Sequence, residues 1–229
     1  MVRLSLTDLR FPPVDRASPD GLLAVGGDLR PERLLEAYRH GIFPWFNEDR
    51  QILWWSPDPR VVLFPEKLHI PRSLKRSLRL GGFTVTFDTC FQTIMEQCAG
   101  PRPQYPDGGT WITPAMIDAY VRLHELGHAH SVETWKEGEL VAGVYGVALG
   151  GAFFGESMFT RAPDASKVAL VTLVRQLRAW GFTLFDCQQS SPHVMGLGAE
   201  EIPRREFVSH LSHAVTLPDR QGRWQIERV

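Results

Sequence analysis

The segment from residue 41 to residue 60, GIFPWFNEDRQILWWSPDPR, constrains the backbone more than any other stretch of the chain. It holds three of the seven tryptophans and three prolines, and Pro65 follows just beyond it. Proline fixes φ and removes a backbone donor, which predicts a rigid, irregular segment that is neither a long helix nor a central strand. Flat rings on such a backbone favour packing against, or binding of, something flat, and stacked bases are one such ligand.

The composition is that of an ordinary globular protein, with 43% hydrophobic and 22% charged residues among 229. This length allows one large domain, or a medium domain with a small one. A formal net charge of −1 speaks against indiscriminate binding of nucleic acid, although it leaves room for a local basic patch. The sequence carries no pattern typical of an oligomer, so we expect a monomer.

Three observations predict a cytoplasmic location. The first residues, MVRLSLTDLRFPP, lack the apolar core of a signal peptide. The three cysteines form no CxxC pair, and an odd number of this kind is typical of free thiols in a reducing compartment. The longest uncharged run, residues 140–155, is short for a membrane span and holds five glycines, so a pair of buried strands is the better interpretation.

Hydrophobic periodicity and the positions of glycine and proline predict alternating helices and strands, and therefore an α+β fold around a central mixed β-sheet. We expect helices over residues 31–40, 71–80, 89–98, 113–127, 164–180 and 203–214. We expect strands over 83–88, 131–135, 140–149, 151–159 and 183–188, with a hairpin that turns at Glu137-Gly138. The prolines at 57, 59 and 65 predict a domain boundary near residues 60–66.

A basic stripe lies on one face of the second predicted helix. Arg72, Lys75, Arg76 and Arg79 recur at the spacing i, i+3, i+4 and i+7, and no acidic residue occurs from His69 to Leu80. The stripe is explained either by a solvated helix face or by contacts with phosphates, which would be modest and salt-sensitive. The aromatic residues of the preceding segment favour the phosphates, because single-stranded ends are bound by basic grooves combined with stacking rings.

Residues 124–128 match the zinc motif HExxH. On a helix this spacing would bring His124 and His128 to one face, with Glu125 as the base for a zinc-bound water, and so a zinc-dependent hydrolase is one alternative. Gly127, however, is typical of a helix terminator, and the pattern alternates from Ala129 onward. The other interpretation is a helix end whose histidines lie at the negative end of the helix dipole.

One short strand combines an acid with an amide. In Leu184–Gln188, the period of two predicts Asp186 and Gln188 on one face and Cys187 on the other. A carboxylate beside an amide can position an amine and share its proton, although both side chains could equally satisfy loop amides at a strand end. Glu156, between small residues, adds a second carboxylate near apolar side chains that either line a pocket or fill the core.

These residues belong to longer motifs that together resemble one family. The chain resembles the leucyl/phenylalanyl-tRNA–protein transferases from about residue 20 to residue 210, through the motifs GLLAVGGDL (21–29), AYRHGIFPWF (37–46), ILWWSPDPR (52–60), GTWIT (109–113), LHELGHAHSVE (123–133), GESMF (155–159), ASK (165–167), DCQ (186–188) and LGAEEIPRREF (197–207). Several of these motifs are long and idiosyncratic, which makes a chance match very unlikely.

The resemblance implies a fold and a reaction. It implies a small N-terminal α+β domain, residues 1–62, followed by an N-acetyltransferase-like acyltransferase domain, residues 63–229. The implied reaction transfers leucine or phenylalanine, less readily methionine, from Leu-tRNA or Phe-tRNA to the α-amino group of proteins that begin with Arg or Lys, and the new terminus marks them for N-degron degradation. Coenzyme A is not expected, because residues 160–166, TRAPDAS, hold no glycine for a pyrophosphate loop, and the activated ester needs no cofactor or metal.

The resemblance also implies roles for individual residues. Asp186 and Gln188 are expected on the attacking amine, with Glu156 in support. Other residues fall into three expected sets: Trp45, Trp111 and Tyr38 for the aminoacyl-adenosine; Phe153, Met158, Phe185, Leu173 and Leu177 for the amino-acid side chain; and Arg72, Lys75, Arg76 and Arg79 for tRNA phosphates. A non-catalytic module that binds the tRNA acceptor end is the remaining alternative, since it would need the stripe and the rings but not Asp186.

Overall fold

The chain folds into two β-sheets with helices packed around them. The computed structural model describes residues 2–47, 51–100 and 111–227, so Gly109 and Thr110 of the GTWIT motif lie outside the described residues. The predicted helices and strands all occur, and each ends within two residues of the expected position. The described part of the chain contains no helix that is long and apolar enough to cross a membrane.

The first sheet is built from the amino-terminal quarter of the chain. It has four strands in the order β1-β2-β4-β3, and helix α1 connects β2 to β3. The elements are β1 (Val2–Leu4), β2 (Leu22–Gly26), α1 (Pro31–Arg39), β3 (Phe43–Pro44) and β4 (Leu53–Trp55). Pro31 suits the first turn of α1, and Gly41 leaves that helix with a φ of 71°, a left-handed conformation that glycine adopts without strain.

Two of the three tryptophans of the aromatic segment, Trp54 and Trp55, lie in a central strand, so the prediction that this segment holds no such strand was wrong. β4 pairs antiparallel with β2 on one side and with β3 on the other. The prolines do not interrupt β4, because Pro44 lies in edge strand β3 and Pro57 follows β4. The backbone N–H donors of β4 therefore remain able to pair. Trp54 is fully buried and donates through Nε1 to the carbonyl of Gly26 over 2.8 Å.

The second sheet has seven strands in the order β11-β5-β10-β9-β8-β7-β6. Its strands are β5 (Arg60–Leu63), β6 (Phe83–Phe87), β7 (Ala129–Lys136), β8 (Glu139–Leu149), β9 (Ala152–Thr160), β10 (Leu184–Gln188) and β11 (Glu200–Ile202). The helices are α2 (Arg72–Leu80), α3 (Phe91–Ala99), α4 (Pro114–Glu125), α5 (Ala165–Ala179), α6 (Pro192–Met195) and α7 (Arg204–Ala214). Helix α5 connects β9 to β10, and these two strands run parallel. The other strand pairs of this sheet are antiparallel, which confirms an α+β fold with a mixed sheet.

Alternate residues of the large sheet enter two separate cores. Phe154 lies in a core that also contains side chains of α1, α3, α4, α7 and the small sheet, whereas Phe153 packs with α5 on the opposite face. The small sheet therefore shares its core with one face of the large sheet. The predicted domain division at residue 62 falls inside β5 and stays a prediction.

A carboxy-terminal strap, residues 217–227, packs against residues of the large sheet without forming a helix or strand. Trp224 is only 2% exposed, and its ring stacks on that of His130 at 3.6 Å. The buried carboxylate of Asp88 accepts from the backbone N–H of Trp224 over 2.6 Å and pairs with Nδ1 of His130 at 2.9 Å. No sequence pattern predicted this strap, because its contacts are made with residues far away along the chain.

We expect the strap to weaken in acid. Burial lowers the pKa of His130 below its usual 6.5, a shift that the neighbouring His124 reinforces and Asp88 opposes. Below pH ~6.5 the unfolded chain therefore takes up a proton that the folded chain resists, and the free energy of unfolding falls. Urea unfolding from pH 8 to pH 5 measures the slope. His130→Gln is expected to reduce it, whereas His213→Gln, at an exposed position, is the matched control; equal slopes in all three proteins would contradict the assignment.

Candidate active site

A cleft of about 360 Å³ opens where strands β9 and β10 part. Their parallel pairing ends at Phe154 and Asp186, and the residues that follow on both strands line the cleft. The lining residues come from both sheets, from helices α5 and α6, and from loops: Phe43, Pro44, Trp45, Trp111, Val144, Gly155, Glu156, Ser157, Met158, Leu170, Phe185, Cys187, Gln188, Gln189, Ser190, Ser191 and Val194. One wall is apolar and the other carries polar groups, as is usual for small-molecule sites.

Glu156 is the carboxylate of this cleft. Its Oε1 accepts from the hydroxyl of Tyr38 over 2.7 Å and from Nε2 of Gln188 over 3.0 Å, and its Oε2 accepts from Tyr120 over 3.2 Å. Burial, with a smaller contribution from the charge of Asp186, raises the pKa of Glu156 to about 7 even though the three hydrogen bonds lower it. A carboxylate with this pKa exchanges a proton readily near neutral pH.

Tyr38 and Tyr120 are fully buried and act as fixed donors to Glu156. Burial raises the pKa of both phenols well above the usual 10.0, and the Glu156 charge adds to the rise. Their hydroxyl oxygens also lie within hydrogen-bonding distance of each other, and each hydroxyl proton is donated either to Glu156 or across this contact. Tyr38, expected at the aminoacyl-adenosine, therefore lies beneath Glu156 and is not among the residues that line the cleft. Tyr120 was missed, because a tyrosine on the buried face of α4 has no local pattern that distinguishes it from core.

Asp186 does not face the cleft. It is fully buried, and Arg60 grips both of its oxygens, with Nε at 2.8 Å from Oδ1 and Nη2 at 2.6 Å from Oδ2. A β-bulge between Asp186 and Gln188 breaks the alternation, and Gln188 adopts a φ of 62°. The prediction that Asp186 and Gln188 share a face was therefore wrong, since Gln188 and Cys187 both line the cleft and Asp186 does not.

Cys187 is an unreactive member of the lining. Burial raises the pKa of its thiol well above 9.0, and the negative charge of Asp186 acts in the same direction, while Arg60 opposes it. Because the thiolate is the nucleophilic form of cysteine, this side chain stays a neutral thiol at physiological pH. It contributes shape to the cleft rather than a reacting group.

The predicted side-chain pocket divides between cleft and core. Met158 and Phe185 line the cleft. Phe153, Leu173 and Leu177 are fully buried in the core beneath α5 and are absent from the lining. Leu173 and Leu177 lie one and two turns farther along α5 than Leu170, which does reach the cleft, together with Val144 and Val194.

Two of the predicted rings lie at the cleft. Trp45 is 36% exposed and Trp111 is partly buried, and both line it. Trp55 supports Trp45, because its Nε1 donates to the carbonyl of Trp45 over 2.7 Å and the two rings lie 5.6 Å apart. The cleft thus offers indole rings beside a carboxylate and an apolar wall.

The HExxH motif does not have the helical geometry that a zinc site would need. Helix α4 ends at Glu125, and Gly127 has a φ of 81°, so His124 and His128 do not share a helical face. His124 stacks on Phe91 at 4.4 Å, and its Nδ1 lies 2.8 Å from the carbonyl oxygen of Ala129. Across residues 2–47, 51–100 and 111–227, no group of three or more His, Cys, Asp or Glu side chains is arranged to hold a metal ion.

The basic stripe lies on the solvent side of α2. All four of its members are exposed, while Leu74 on the opposite side is buried against the second core. Ser77 donates to Asp164 over 2.8 Å, which ties α2 to the start of α5. The exposed charges are therefore presented by a helix that is held in place.

Comparison with known proteins places the chain in a family. The sequence model described as leucyl/phenylalanyl-tRNA protein transferase matches residues 62–212, and the model of its N-terminal domain matches residues 27–58. A leucyl/phenylalanyl-tRNA–protein transferase of Stutzerimonas stutzeri (strain A1501) is 58% identical over 217 residues, which cover 94% of this chain and 95% of that protein. One of Nitrosomonas europaea is 54% identical over 229 residues, which cover 99% and 96%.

The solved structures that match the chain do so at much lower sequence identity. A GCN5-related N-acetyltransferase from Kribbella flavida is 16% identical with a TM-score of 0.40, covering 72% of this chain and 58% of that one. L-PGS from Bacillus licheniformis has the same identity and TM-score, and the match covers 71% of this chain and 52% of that one.

Because the chain matches these transferases over nearly their whole length, it is an aminoacyltransferase. More narrowly, it belongs to the leucyl/phenylalanyl-tRNA–protein transferase family.

Proposed function

We propose that this protein transfers leucine or phenylalanine, and less readily methionine, from aminoacyl-tRNA to the α-amino group of proteins that begin with Arg or Lys. The observation that carries the proposal is the position of Glu156, a carboxylate with a pKa of about 7 on the wall of a cleft that also holds indole rings and apolar side chains. The modified proteins would enter N-degron degradation, and we propose that the enzyme acts as a cytoplasmic monomer.

The chemistry needs little beyond positioning and one proton acceptor. The aminoacyl ester is already activated, and an α-amine with a pKa of about 8 is partly neutral at physiological pH. Its nitrogen attacks the ester carbonyl, and Glu156 accepts the proton that the nitrogen loses. The bond between the acyl carbon and the ribose oxygen then breaks, and Glu156 returns the proton to that oxygen, which leaves as a hydroxyl of the tRNA. Gln188, which donates to Glu156 over 3.0 Å, holds that carboxylate in place. Asp186 acts through Gln188 in this proposal, rather than on the amine itself.

The apolar wall suits the side chain of the transferred amino acid. Val144, Met158, Leu170, Phe185 and Val194 surround one part of the cleft. An apolar pocket distinguishes substrates by only ~1–3 kcal/mol per methylene, and methionine at position 158 is flexible enough to adapt. A preference for Leu and Phe with tolerance of Met follows from such a pocket. Trp45 and Trp111 are suited to stack the terminal adenosine, an interaction worth about 1–3 kcal/mol per base.

A panel of donors and acceptors tests the substrate assignment. The protein would be incubated with tRNA charged with Leu, Phe, Met or Ala and with peptides that differ only in a first residue of Arg, Lys, Ala or Glu. We expect rapid transfer of Leu and Phe to the Arg and Lys peptides, slower transfer of Met, and none of Ala. Equal transfer to the Glu peptide would contradict the proposed acceptor class, and equal transfer of Ala would contradict the pocket.

The basic stripe is proposed to contact phosphates of the acceptor stem. Arg76→Glu is expected to weaken tRNA binding and to reduce the slope of log affinity against log salt by about 1, because one phosphate contact is lost. A filter-binding titration measures both quantities. It covers roughly 50 to 300 mM salt, because affinity that depends on phosphate contacts falls steeply over this range. Arg122→Glu, at an exposed position on α4, is the matched control and should leave the slope unchanged. An unchanged slope in Arg76→Glu would contradict the proposed phosphate contacts and would mean that the stripe is only a solvated helix face.

A further inference from the structure

Arg60 is a buried arginine held from three sides. Its guanidinium carbon lies 4.9 Å from the ring centre of Phe43 and 4.5 Å from that of Phe207, and the side chain is only 1% exposed. Its fork meets the carboxylate of Asp186 through two hydrogen bonds of 2.8 and 2.6 Å. An arginine fork matches a carboxylate in this two-point geometry, whereas a lysine ammonium does not.

A chain of hydrogen bonds leads from Arg60 to the cleft. Oδ1 of Asp186, which accepts from Arg60, also accepts from the backbone N–H of Gln188 over 2.9 Å. Gln188 has a φ of 62°, a left-handed conformation that a residue with a side chain keeps only where its surroundings hold it. In that conformation its Nε2 donates to Glu156 over 3.0 Å.

The two rings that enclose the Arg60 guanidinium connect this series of hydrogen bonds to the wall of the cleft. Phe43, from edge strand β3, packs on the guanidinium and also lines the cleft. Phe207 holds the other ring contact from α7, while Arg60 and Asp186 lie on the paired strands β5 and β10. The guanidinium is therefore fixed by elements of the small sheet, the large sheet and α7 rather than by its ion pair alone.

We infer that Arg60 is a positioning residue for the transfer reaction, acting through Asp186 to hold Gln188 and, through Gln188, Glu156 in their reactive geometry. This inference rests on the proposed function. A purely stabilising role would be served as well by apolar residues, because replacing a buried ion pair with hydrophobic side chains of similar volume is often neutral or favourable. The ion pair is useful here because the same oxygen of Asp186 accepts from Arg60 and from the Gln188 amide, a connection that an apolar residue at position 186 could not make.

Steady-state kinetics of four variants test this role. Arg60→Met is expected to lower kcat about 100-fold, the cost of a displacement of about 1 Å at a reacting group, with KM for both substrates changed less than about threefold. Arg60→Lys keeps the charge without the fork and should fall between Arg60→Met and the wild type. The double variant Arg60→Met/Asp186→Leu should match the single variant Asp186→Leu, because Arg60 has no effect left once Asp186 is gone. It also provides a folded protein if Arg60→Met is unstable, since it removes the whole pair.

Arg33→Met is the matched control. Arg33 is also fully buried, and it pairs with Asp28 and donates to the carbonyls of Ser5 and Asp8, none of which lines the cleft. Its replacement should lower stability without changing kcat of the folded protein. A fall in kcat as large as that in Arg60→Met would show that loss of any buried arginine has this effect, and it would overturn the inference.

Hydrogen exchange at the Gln188 amide gives a readout that does not depend on activity. This amide is expected to exchange at least tenfold faster in Arg60→Met than in the wild type and Arg33→Met. Unchanged protection together with wild-type kcat would overturn the inference, as would effects of Arg60→Met and Asp186→Leu that multiply in the double variant. If the wild type fails to transfer leucine, the proposed function fails, and the exchange measurement still decides whether Arg60 holds Gln188.

Discussion

Replacing Glu156 with glutamine is expected to lower kcat by about 100- to 10,000-fold, the contribution of a positioned proton acceptor. In the wild type, kcat should rise with pH through about 7, because Glu156 must lose its proton before it can accept one and its pKa is about 7. The glutamine variant should lose this limb of the pH profile. Single-turnover transfer from labelled Leu-tRNA to a peptide that begins with Arg, measured from pH 5.5 to pH 9, gives both quantities (the range spans roughly the pKa values of the carboxylate and the amine).

Loss of stability would not explain this result. The pKa of Glu156 is raised in the folded protein, so the stability it contributes is present at low pH and is lost as the pH rises through about 7. Glu156→Gln should therefore be at least as resistant to urea as the wild type at pH 8. Glu133→Gln is the matched control, since Glu133 is also buried and accepts hydrogen bonds from Ser131 and Thr86 but does not line the cleft. A pH limb that persists in Glu156→Gln would assign the proton to another group.

Replacing Asp186 with alanine is expected to lower the free energy of unfolding by about 3–5 kcal/mol. The change leaves the Arg60 guanidinium buried without its counter-charge, which is the costly way to disrupt a buried ion pair. Urea unfolding measures this free energy at a pH of about 7.5, which lies above the usual pKa values of carboxyl groups. Glu200→Ala, which breaks the exposed pair with Lys67 at 2.6 Å, is the control and should cost much less because water screens that pair.

The same variant separates two roles for Asp186. If Asp186 acts through Gln188, kcat falls in the protein that remains folded at low temperature, and the pH limb assigned to Glu156 stays. If Asp186 is itself the proton acceptor, the limb disappears with it. Full transfer by Asp186→Ala would contradict both roles and would leave this residue with stability alone.

Local patterns predicted the elements that local physics determines. The hairpin between β7 and β8 turns at Glu137 and Gly138, whose φ values of 52° and 83° suit a tight two-residue turn. Thr113 caps α4 through a hydrogen bond from the backbone N–H of Met116 to its hydroxyl. In such cases a few neighbouring residues decide the backbone, and the sequence is enough.

The candidate site depends on contacts that no local pattern contains. The bulge that turns Gln188 into the cleft follows from pairing with β5, and the partner of Asp186 lies 126 residues earlier in the chain. Similarly, Tyr38 and Tyr120 come from two different helices and meet at Glu156. The family resemblance indicated which residues matter. Their geometry, with Glu156 rather than Asp186 facing the cleft, required the folded chain.

One measurement tests the central claim most directly: incubation of the purified protein with Leu-tRNA and a peptide that begins with Arg, followed by mass spectrometry of the peptide. The account predicts one added leucine on the α-amino nitrogen, no addition when that nitrogen is acetylated beforehand, and a rate that depends on Glu156. An unmodified peptide with intact Leu-tRNA would indicate a binding module, and free leucine without modified peptide would indicate a hydrolase. Either result would contradict the account.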